Sequence, residues 1–153
     1  MPNLNPEYIR ELIEAANAST FFEHMSLRVT DVALDSAVLE MKTNPRHLQA
    51  FGNVHGGVLA TLIDAGTFWA GFMRIPEEAG LVNIDLKLNY LKAIEAGLSL
   101  TVEGRAIHSG NLIIYAEATV YDESRQVIAH GTSTLITLRG KGLKLNSSKF
   151  LES

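Results

Sequence analysis

The chain contains no cysteine. This absence excludes disulfide bridges, catalysis by a thiolate and zinc sites with cysteine ligands. The histidines are few and scattered, without the close pairs that metal sites use. They stand at His24, His47, His55, His108 and His130. We therefore expect neither a metal ion nor any other cofactor.

Positive charge is scarce as well, since 13 Lys and Arg residues face 17 Asp and Glu residues and the net charge is -4. A chain without a basic patch lacks the electrostatic footprint of a nucleic-acid-binding protein. Residues 1–19 have no apolar core and do not resemble a signal peptide. The apolar stretch from Val58 to Met73 is too short for a membrane span and contains Asp64. We expect a cytoplasmic protein that binds neither nucleic acid nor membrane.

With 153 residues and 46% hydrophobic content, the chain is large enough for one domain with a substantial core. A helix is predicted over residues 6–17, because Asn5 is a favourable N-cap and Pro6 a favourable first helical residue. Residues 21–25 are interpreted as a connector. Residues 1–140 are assigned to the domain, and the polar residues 141–153 are expected to form a loose C-terminal tail.

Alternating apolar and polar residues predict β-strands on both sides of the apolar stretch. Two strands are expected before it, over residues 26–34 and 37–42. Four long strands are expected after it, over residues 81–90, 98–103, 112–121 and 126–138. Short connections make consecutive strands antiparallel, so we predict a meander that curves around one helix.

The apolar stretch after His55 is predicted to be the helix at the centre of the fold. From Val58 to Met73 its single charge is Asp64. A helix that is apolar on all sides is normally buried on all sides, and a buried carboxylate is costly unless it is paired or needed. Gly56 and Gly57 leave backbone N–H groups uncovered at the helix start, where negative charge is favoured. We interpret the carboxylate and the uncovered N–H groups as parts of one active site.

The residues also allow a purely structural interpretation. Asp64 would then be a buried acid with a backbone hydrogen-bond partner, and the glycine pair would be a tight turn. In this interpretation His55 holds its loop through hydrogen bonds; a direct part in the chemistry is the alternative role for His55. The structural interpretation does not explain why both unusual features lie on one helix.

Two segments carry a resemblance to a known family. Residues 47–57 read HLQAFGNVHGG and are followed by Asp64, while residues 85–92 read DLKLNYLK. Together they resemble the signature of the phenylacetate-pathway, or PaaI-like, acyl-CoA thioesterases, and the likeness extends over residues 25–139. The resemblance implies an α+β hot-dog fold, in which a long central helix is wrapped by one curved antiparallel sheet and a short helix lies at the N-terminus.

The resemblance also implies roles for residues at matching positions. Asp64 corresponds to the catalytic carboxylate, which acts as general base or nucleophile, and Gly56 to the residue whose N–H polarises the thioester carbonyl. Gln49 stands where relatives often have Asn, and Asn83 where they have Ser or Thr; both stay polar and are able to place a water or a substrate carbonyl. The family forms homodimers or homotetramers with active sites at subunit interfaces, so Asp64 would serve Gly56 of the partner subunit.

The activity implied by the resemblance is hydrolysis of an acyl-CoA to the free acid and CoA. The acyl group would be aryl-acetyl or of medium to long chain. The alternative is a non-catalytic protein that binds or senses acyl-CoA. Hydratases of the same fold typically carry a His five residues after the acid. This chain has Trp69 at that position, which argues against a hydratase.

Substrate contacts are expected from three residues near the central helix, namely Gly57, Asn53 and Phe68. The CoA half would need cationic groups, for which Lys92 and Arg105, and also Lys141, are candidates. Five aromatic side chains are available to line an acyl pocket or the core: Phe21, Phe22, Phe68, Trp69 and Phe72.

Overall fold

The computed structural model describes residues 3–151 of the chain. Within this range there are three α-helices, α1 (Pro6–Asn17), α2 (Thr20–Met25) and α3 (Gly56–Phe72). The same range contains seven β-strands: β1 (Leu27–Ala33), β2 (Ser36–Lys42), β3 (Gly80–Asn83), β4 (Lys87–Tyr90), β5 (Ser99–Ser109), β6 (Ile113–Tyr121) and β7 (Val127–Leu138). A 3-10 turn over Pro45–His47 lies between β2 and α3.

Each helix begins after a residue whose side chain caps its free N–H groups. The Asn5 side chain accepts a hydrogen bond from the Glu7 N–H at 3.0 Å, so α1 starts where the sequence predicted. Ser19 caps α2 in the same way, and this helix replaces the expected connector. α3 begins at Gly56 and is capped by His55. No helix in the described range is long and apolar enough to cross a membrane.

The strands form one antiparallel sheet in the order β1-β2-β5-β6-β7-β3, with β4 also paired to β7. α3 packs against β2, β5, β6 and β7, and the solvent-free core lies between the helix and the sheet. Leu62 and Ile63 of the helix are buried in this core together with Val102 and Ile114 of the sheet. The predicted architecture, a long central helix wrapped by a curved antiparallel sheet with a short N-terminal helix, is confirmed.

The prediction of a four-strand meander is wrong at its first strand. Residues 81–90 are split into β3 and β4, and both pair with β7 instead of β5. The split lies near Asp85, whose carboxylate accepts hydrogen bonds from the Thr134 N–H at 2.7 Å and the Thr134 hydroxyl at 3.2 Å. β5 pairs with β2 and β6. Alternation of residue types reports which face of a strand is buried but not which strand lies beside it.

α3 lies unusually close to β5, because glycines face each other at the contact. A Cβ atom added to Gly104 would lie 2.1 Å from the Gly66 carbonyl oxygen. A Cβ atom added to Gly66 would lie 2.8 Å from the Val102 side chain and 2.9 Å from the Ala118 side chain. The helix backbone therefore packs directly on the sheet, and this contact sets the distance between α3 and the strands.

Gly104→Ala is expected to destabilise the protein by about 3 kcal/mol, because the added methyl group overlaps main-chain atoms of α3. Denaturant unfolding measures the change in the free energy of unfolding. The matched control is Gly110→Ala on the exposed turn after β5, where the atom nearest to the new Cβ is 3.2 Å away. Equal unfolding free energies for the two variants would show that the helix moves aside freely.

Residues 141–151 do not form the loose tail that their polar composition led us to expect. The Asn5 N–H donates to the Lys149 carbonyl at 2.9 Å, and the Glu11 carboxylate accepts from the Asn146 N–H at 2.6 Å. The Lys149 side chain is only 2% exposed. Polar composition predicts solvent exposure on average, but it does not show where each donor and acceptor finds a partner. The last two residues of the expected tail, 152 and 153, lie outside the described range.

Candidate active site

One face of α3 is open, contrary to the expectation that an apolar helix is buried on all sides. Gly57, Thr61, Asp64 and Phe68 follow one another along this face at helical intervals. Gly57 and Asp64 are exposed and the other two are half-buried, while most residues on the remaining faces are buried. The composition of a helix shows how much apolar surface it carries, but not which stripe of that surface the rest of the chain leaves uncovered.

The Asp64 carboxylate has no hydrogen-bond or ion-pair partner within residues 3–151. Although solvent reaches the side chain, nearby apolar groups desolvate the carboxylate and raise its pKa above the ordinary value for aspartate. The structural interpretation, an acid held by a backbone partner, therefore has no support in the described residues. An unpaired carboxylate with a raised pKa is suited to accept a proton or to attack a substrate.

An apolar cavity of about 550 Å³ opens beside Asp64. Its floor is the aromatic cluster of α3, in which the Phe68 ring centroid lies 5.0 Å from that of Trp69 and 5.7 Å from that of Phe72. The walls come from α1, α2, β3 and the residues after β7, so the cavity is formed within one chain. All five aromatic residues that the sequence offered for an acyl pocket or a core line this cavity.

The first N–H group of α3 is free, and the second is not. The Gly57 N–H donates to the Nδ1 atom of His55 at 2.7 Å, so His55 holds the helix start by a hydrogen bond. The Gly56 N–H has no acceptor in the described part of the chain. The Tyr90 ring lies against Gly56, where an added Cβ would be 3.1 Å from the ring atom Cε1. Gly56 therefore presents the one backbone donor of the glycine pair that is available to a substrate oxygen.

The loop before α3 is a tight turn that carries the other polar residues of the signature. The Gln49 N–H donates to the Asn53 carbonyl at 2.8 Å, and the Gln49 side chain accepts from the Phe51 N–H. Gln49 and Asn53 therefore lie together near the start of α3, on the side of Gly56. Phe51 at the tip of this turn is 91% exposed.

Within one chain, Gly56 and Asp64 are too far apart to act on the same carbonyl group. They are eight residues apart on α3, which corresponds to about 12 Å along the helix axis. A donor that stabilises an oxyanion must lie about 3 Å from that oxygen. The structure thus separates the expected site residues into two groups. The group at the helix start contains Gln49, Asn53, His55, Gly56 and Gly57. The group near the middle of the helix contains Asp64, Phe68 and Asn83.

Asn83 contacts the backbone of Asp64 rather than its carboxylate. Its side-chain amide donates to the Ser133 hydroxyl at 2.8 Å and to the Thr67 hydroxyl at 3.1 Å, and it lies 3.4 Å from the Asp64 carbonyl oxygen. These bonds connect β3, β7 and α3 behind the carboxylate. Asn83 is therefore placed to hold the helix at Asp64, and its own carbonyl oxygen is the atom left for a substrate or a water.

Lys92 and Arg105 are not brought near Asp64. The Lys92 ammonium donates to the Gln126 side chain at 2.6 Å, and the Arg105 guanidinium pairs with Glu117 at 2.6 Å. Arg105 follows Gly104, which faces α3, so its side chain points to the opposite side of the sheet. Their expected contacts with CoA find no support in the arrangement of a single chain. Lys141, in contrast, lines the cavity beside Asp64.

A second cavity of about 380 Å³ meets the first one at Phe21 and Thr61. Arg46 and a group of histidines line it: His24, His47 and His55. Neither Arg46 nor Thr61 had a role predicted from the sequence. Thr61 lies three residues before Asp64, and this spacing places both residues on the same face of a helix. The sequence therefore did contain a signal that Thr61 lies near Asp64.

Comparison with known proteins identifies similar chains. The thioesterase superfamily profile matches residues 51–129, which include both Gly56 and Asp64. Human acyl-coenzyme A thioesterase 13 is 26% identical over 129 residues, covering 82% of this chain and 91% of the relative. Thioesterase HI1161 from Haemophilus influenzae has a similar structure, with a TM-score of 0.80 and 20% identity over 96% of this chain and 100% of that chain. The E. coli PaaI protein from the phenylacetic acid degradation operon gives a TM-score of 0.78 with 16% identity, covering 88% and 95% of the two chains.

Proposed function

This chain belongs to the thioesterase superfamily, and on that premise we propose that it hydrolyses the thioester bond of an acyl-CoA, with Asp64 as the catalytic carboxylate. The observation that carries the proposal is the unpaired, partly desolvated carboxylate of Asp64 beside an apolar cavity. An apolar cavity with few polar groups is typical of a site for a small apolar ligand. The names of human acyl-coenzyme A thioesterase 13 and of thioesterase HI1161 support the same activity.

The chemistry requires a base or nucleophile, a donor for the carbonyl oxygen and a leaving group. Asp64 either attacks the thioester carbon directly or takes a proton from the water that attacks it. As the new carbon–oxygen bond forms, the carbonyl oxygen becomes negative and is stabilised by the Gly56 N–H, a term of about 3 kcal/mol for one such donor. The carbon–sulfur bond then breaks, and the CoA thiolate leaves and takes up a proton. When Asp64 acts as general base, the acid is released at this point; when Asp64 is the nucleophile, water first hydrolyses the anhydride between Asp64 and the acyl group.

The distance between Gly56 and Asp64 supports a site that is shared by two chains. Since about 12 Å along one helix separates them, the donor and the carboxylate that meet at one carbonyl come from different copies. Two-fold pairing then makes two equivalent sites, each from Asp64 of one chain and Gly56 of the partner subunit. Apolar side chains near the helix start are exposed in the single chain and suit such an interface: Phe51, Tyr90 and Leu91. We propose a homodimer as the smallest active form; a homotetramer and a cytoplasmic location stay predictions.

The second cavity is suited to the phosphate-bearing half of CoA. It adjoins the acyl cavity at Thr61, one turn from Asp64, and its lining includes the cationic side chain of Arg46. Arginine pairs well with phosphate because its guanidinium presents parallel N–H donors. Acyl group, thioester and phosphates would then lie in order along the open face of α3.

Release of free thiol from acyl-CoA tests the proposed activity. Purified protein is mixed with acyl-CoAs of several chain lengths and with phenylacetyl-CoA, and the CoA thiol is detected with a thiol reagent. Steady thiol release at substoichiometric protein is the expected result. The alternative function, an acyl-CoA sensor, would give binding in calorimetry without thiol release, and that outcome would reject the enzymatic proposal.

kcat/KM is expected to fall as the pH is lowered, and the midpoint of this fall is expected to lie above the ordinary aspartate pKa of 3.8. The rate falls at low pH because the Asp64 carboxylate acts only when it is ionised. Desolvation raises the pKa of this carboxylate, so the ionised form is lost at a higher pH than in an ordinary aspartate. Loss of thioester absorbance measures the rate at each pH. Circular dichroism at the same pH values controls for unfolding. A rate that stays constant down to the ordinary aspartate pKa would show that Asp64 does not titrate in the reaction.

A further inference from the structure

We propose that residues 141–151, here called the C-terminal strap, form the outer wall of the acyl cavity and limit the length of the acyl chain. We also propose that Lys149 is the residue that positions this strap. The inference rests on the proposed thioesterase function and deepens it, since it names the substrate class as medium-chain acyl-CoA. Apart from Lys141, no residue of this segment had a role predicted from the sequence.

The strap contributes part of the lining of the cavity. Lys141 and Leu143 of the strap line the cavity together with Leu138 at the end of β7. Phe21 and Phe22 of α2 line the same cavity. Without the strap the aromatic floor of α3 would be open along one edge, so an acyl chain of any length would be able to run out into solvent.

The floor of the cavity sets a length for the acyl chain. The lining residues of α3 extend from Asp64 to Phe72, and this eight-residue interval spans about 12 Å of helix axis. With carbon–carbon bonds of about 1.5 Å in a zigzag chain, that span corresponds to roughly eight to ten carbons. The lining is almost entirely apolar, which favours a hydrocarbon chain over a charged acyl group. A medium-chain acyl group therefore fills the space from Asp64 to Phe72.

Backbone contacts hold the start of the strap close to β3. The Gly142 N–H donates to the Glu78 carbonyl at 3.0 Å. A Cβ atom on Gly142 would lie 2.2 Å from the Glu77 carbonyl oxygen, and one on Gly80 would lie 2.6 Å from the Lys141 carbonyl oxygen. Glycine at both positions thus allows the strap to lie directly on the main chain beside the cavity.

Lys149 fixes the far end of the strap next to Phe72, the last residue of α3 that lines the cavity. Its ammonium donates to the Ile75 carbonyl at 2.5 Å and lies 5.8 Å from the centre of the Phe72 ring and 5.7 Å from that of Tyr8. The Lys149 N–H donates to the Glu77 carboxylate at 2.7 Å. Burial of an ammonium group is costly unless it is compensated, and here a carbonyl and two ring faces compensate it. Because Phe72 lines the cavity and also faces Lys149, the anchor and the end of the cavity are in direct contact.

Lys149→Met tests the positioning role, because it keeps the long apolar stem and removes the charge. The wild-type enzyme is expected to show the highest kcat/KM with octanoyl- or decanoyl-CoA. In the variant, the preference for decanoyl-CoA over hexadecanoyl-CoA is expected to fall by about tenfold, in the range by which apolar pockets discriminate chain length. The kcat for butanoyl-CoA should be unchanged, since Asp64 is untouched. Lys144→Met, in the same segment but exposed, is the matched control.

A second variant decides the question if Lys149→Met does not fold. Leu143 is 45% exposed, so Leu143→Trp adds bulk to the cavity wall without entering the core. It is expected to move the optimum to shorter acyl chains, while Leu112→Trp on the exposed β5–β6 turn is expected to leave the optimum unchanged. A chain-length profile that neither Lys149→Met nor Leu143→Trp alters would overturn the inference. Wild-type protein that releases no thiol from any acyl-CoA would instead reject the proposed function.

Discussion

Asp64→Asn is expected to lower the turnover of acyl-CoA by about 10² or more, the loss typical for an essential acid–base group. The amide keeps the shape and polarity of the side chain but can neither attack the thioester nor accept a proton from water. Thiol release measures the loss. Asp31→Asn on β1 is the matched control, because it removes the same charge from an exposed position. Near-normal turnover together with a large loss of stability would mean that Asp64 is a structural acid.

The stability of Asp64→Asn gives an independent check on the same carboxylate. Desolvation raises the pKa of Asp64 in the folded protein, so the folded state binds this proton more tightly than the unfolded state does. The contribution of Asp64 to stability therefore decreases as the pH rises from the ordinary aspartate pKa through the raised value. At neutral pH the Asn variant should be as stable as the wild type or slightly more stable, which is the usual relation between function and stability at active sites.

Gly56→Pro is expected to lower kcat by about 10² to 10³, the loss seen when one oxyanion donor is removed. Gly56 is the first residue of α3, where proline is favoured, and His55 has φ -63° and ψ 138°, which suits a residue before proline. The substitution therefore removes the N–H and preserves the helix start. Gly56→Ala is the matched control, because it adds a Cβ against the Tyr90 ring but keeps the N–H. Equal losses in both variants would assign the effect to the Tyr90 contact.

Mixing the two inactive variants tests whether one site contains groups from two chains. Random pairing of equal amounts makes half of the dimers mixed, and each mixed dimer has one site with both Asp64 and the Gly56 N–H. Activity should then recover to about a quarter of the wild-type value. Each variant carried alone through the same unfolding and refolding is the control. Failure to recover activity, with mixed dimers demonstrated by mass spectrometry, would show that the site does not lie between subunits.

The sequence was sufficient where the determinants are local. The start of α1 follows from Asn5 and Pro6. Asp64 and Gly56 were predicted as site residues because a lone charge and a glycine pair are unusual on an apolar helix, and their catalytic roles stay predictions. The family interpretation, which the resemblance added, is confirmed by the match of the thioesterase superfamily to residues 51–129, and the acyl-CoA thioesterase activity stays the proposal made above.

Features that depend on distant parts of the chain were not predicted. The pairing of β3 and β4 with β7 joins segments about 50 residues apart, such as Asn83 and Leu135. The exposure of Asp64 depends on which face of α3 the sheet leaves open. Lys92 and Arg105 looked like free cations, because their acidic and amide partners are separated from them by many residues. Charge in a sequence is visible, but its neutralisation by a long-range partner is not.

The C-terminal strap also determines when during protein synthesis the acyl cavity is completed. α1 leaves the ribosome early and residues 141–151 leave it late, yet Glu11 and Asn146 form a hydrogen bond across 135 positions. Until the late segment arrives, the aromatic floor of α3 lacks its outer wall, and transiently exposed apolar surface of this kind is prone to aggregation. Contacts so distant in sequence also slow folding. The nascent chain therefore cannot bind an acyl chain in its final cavity before nearly all of this sequence has been translated.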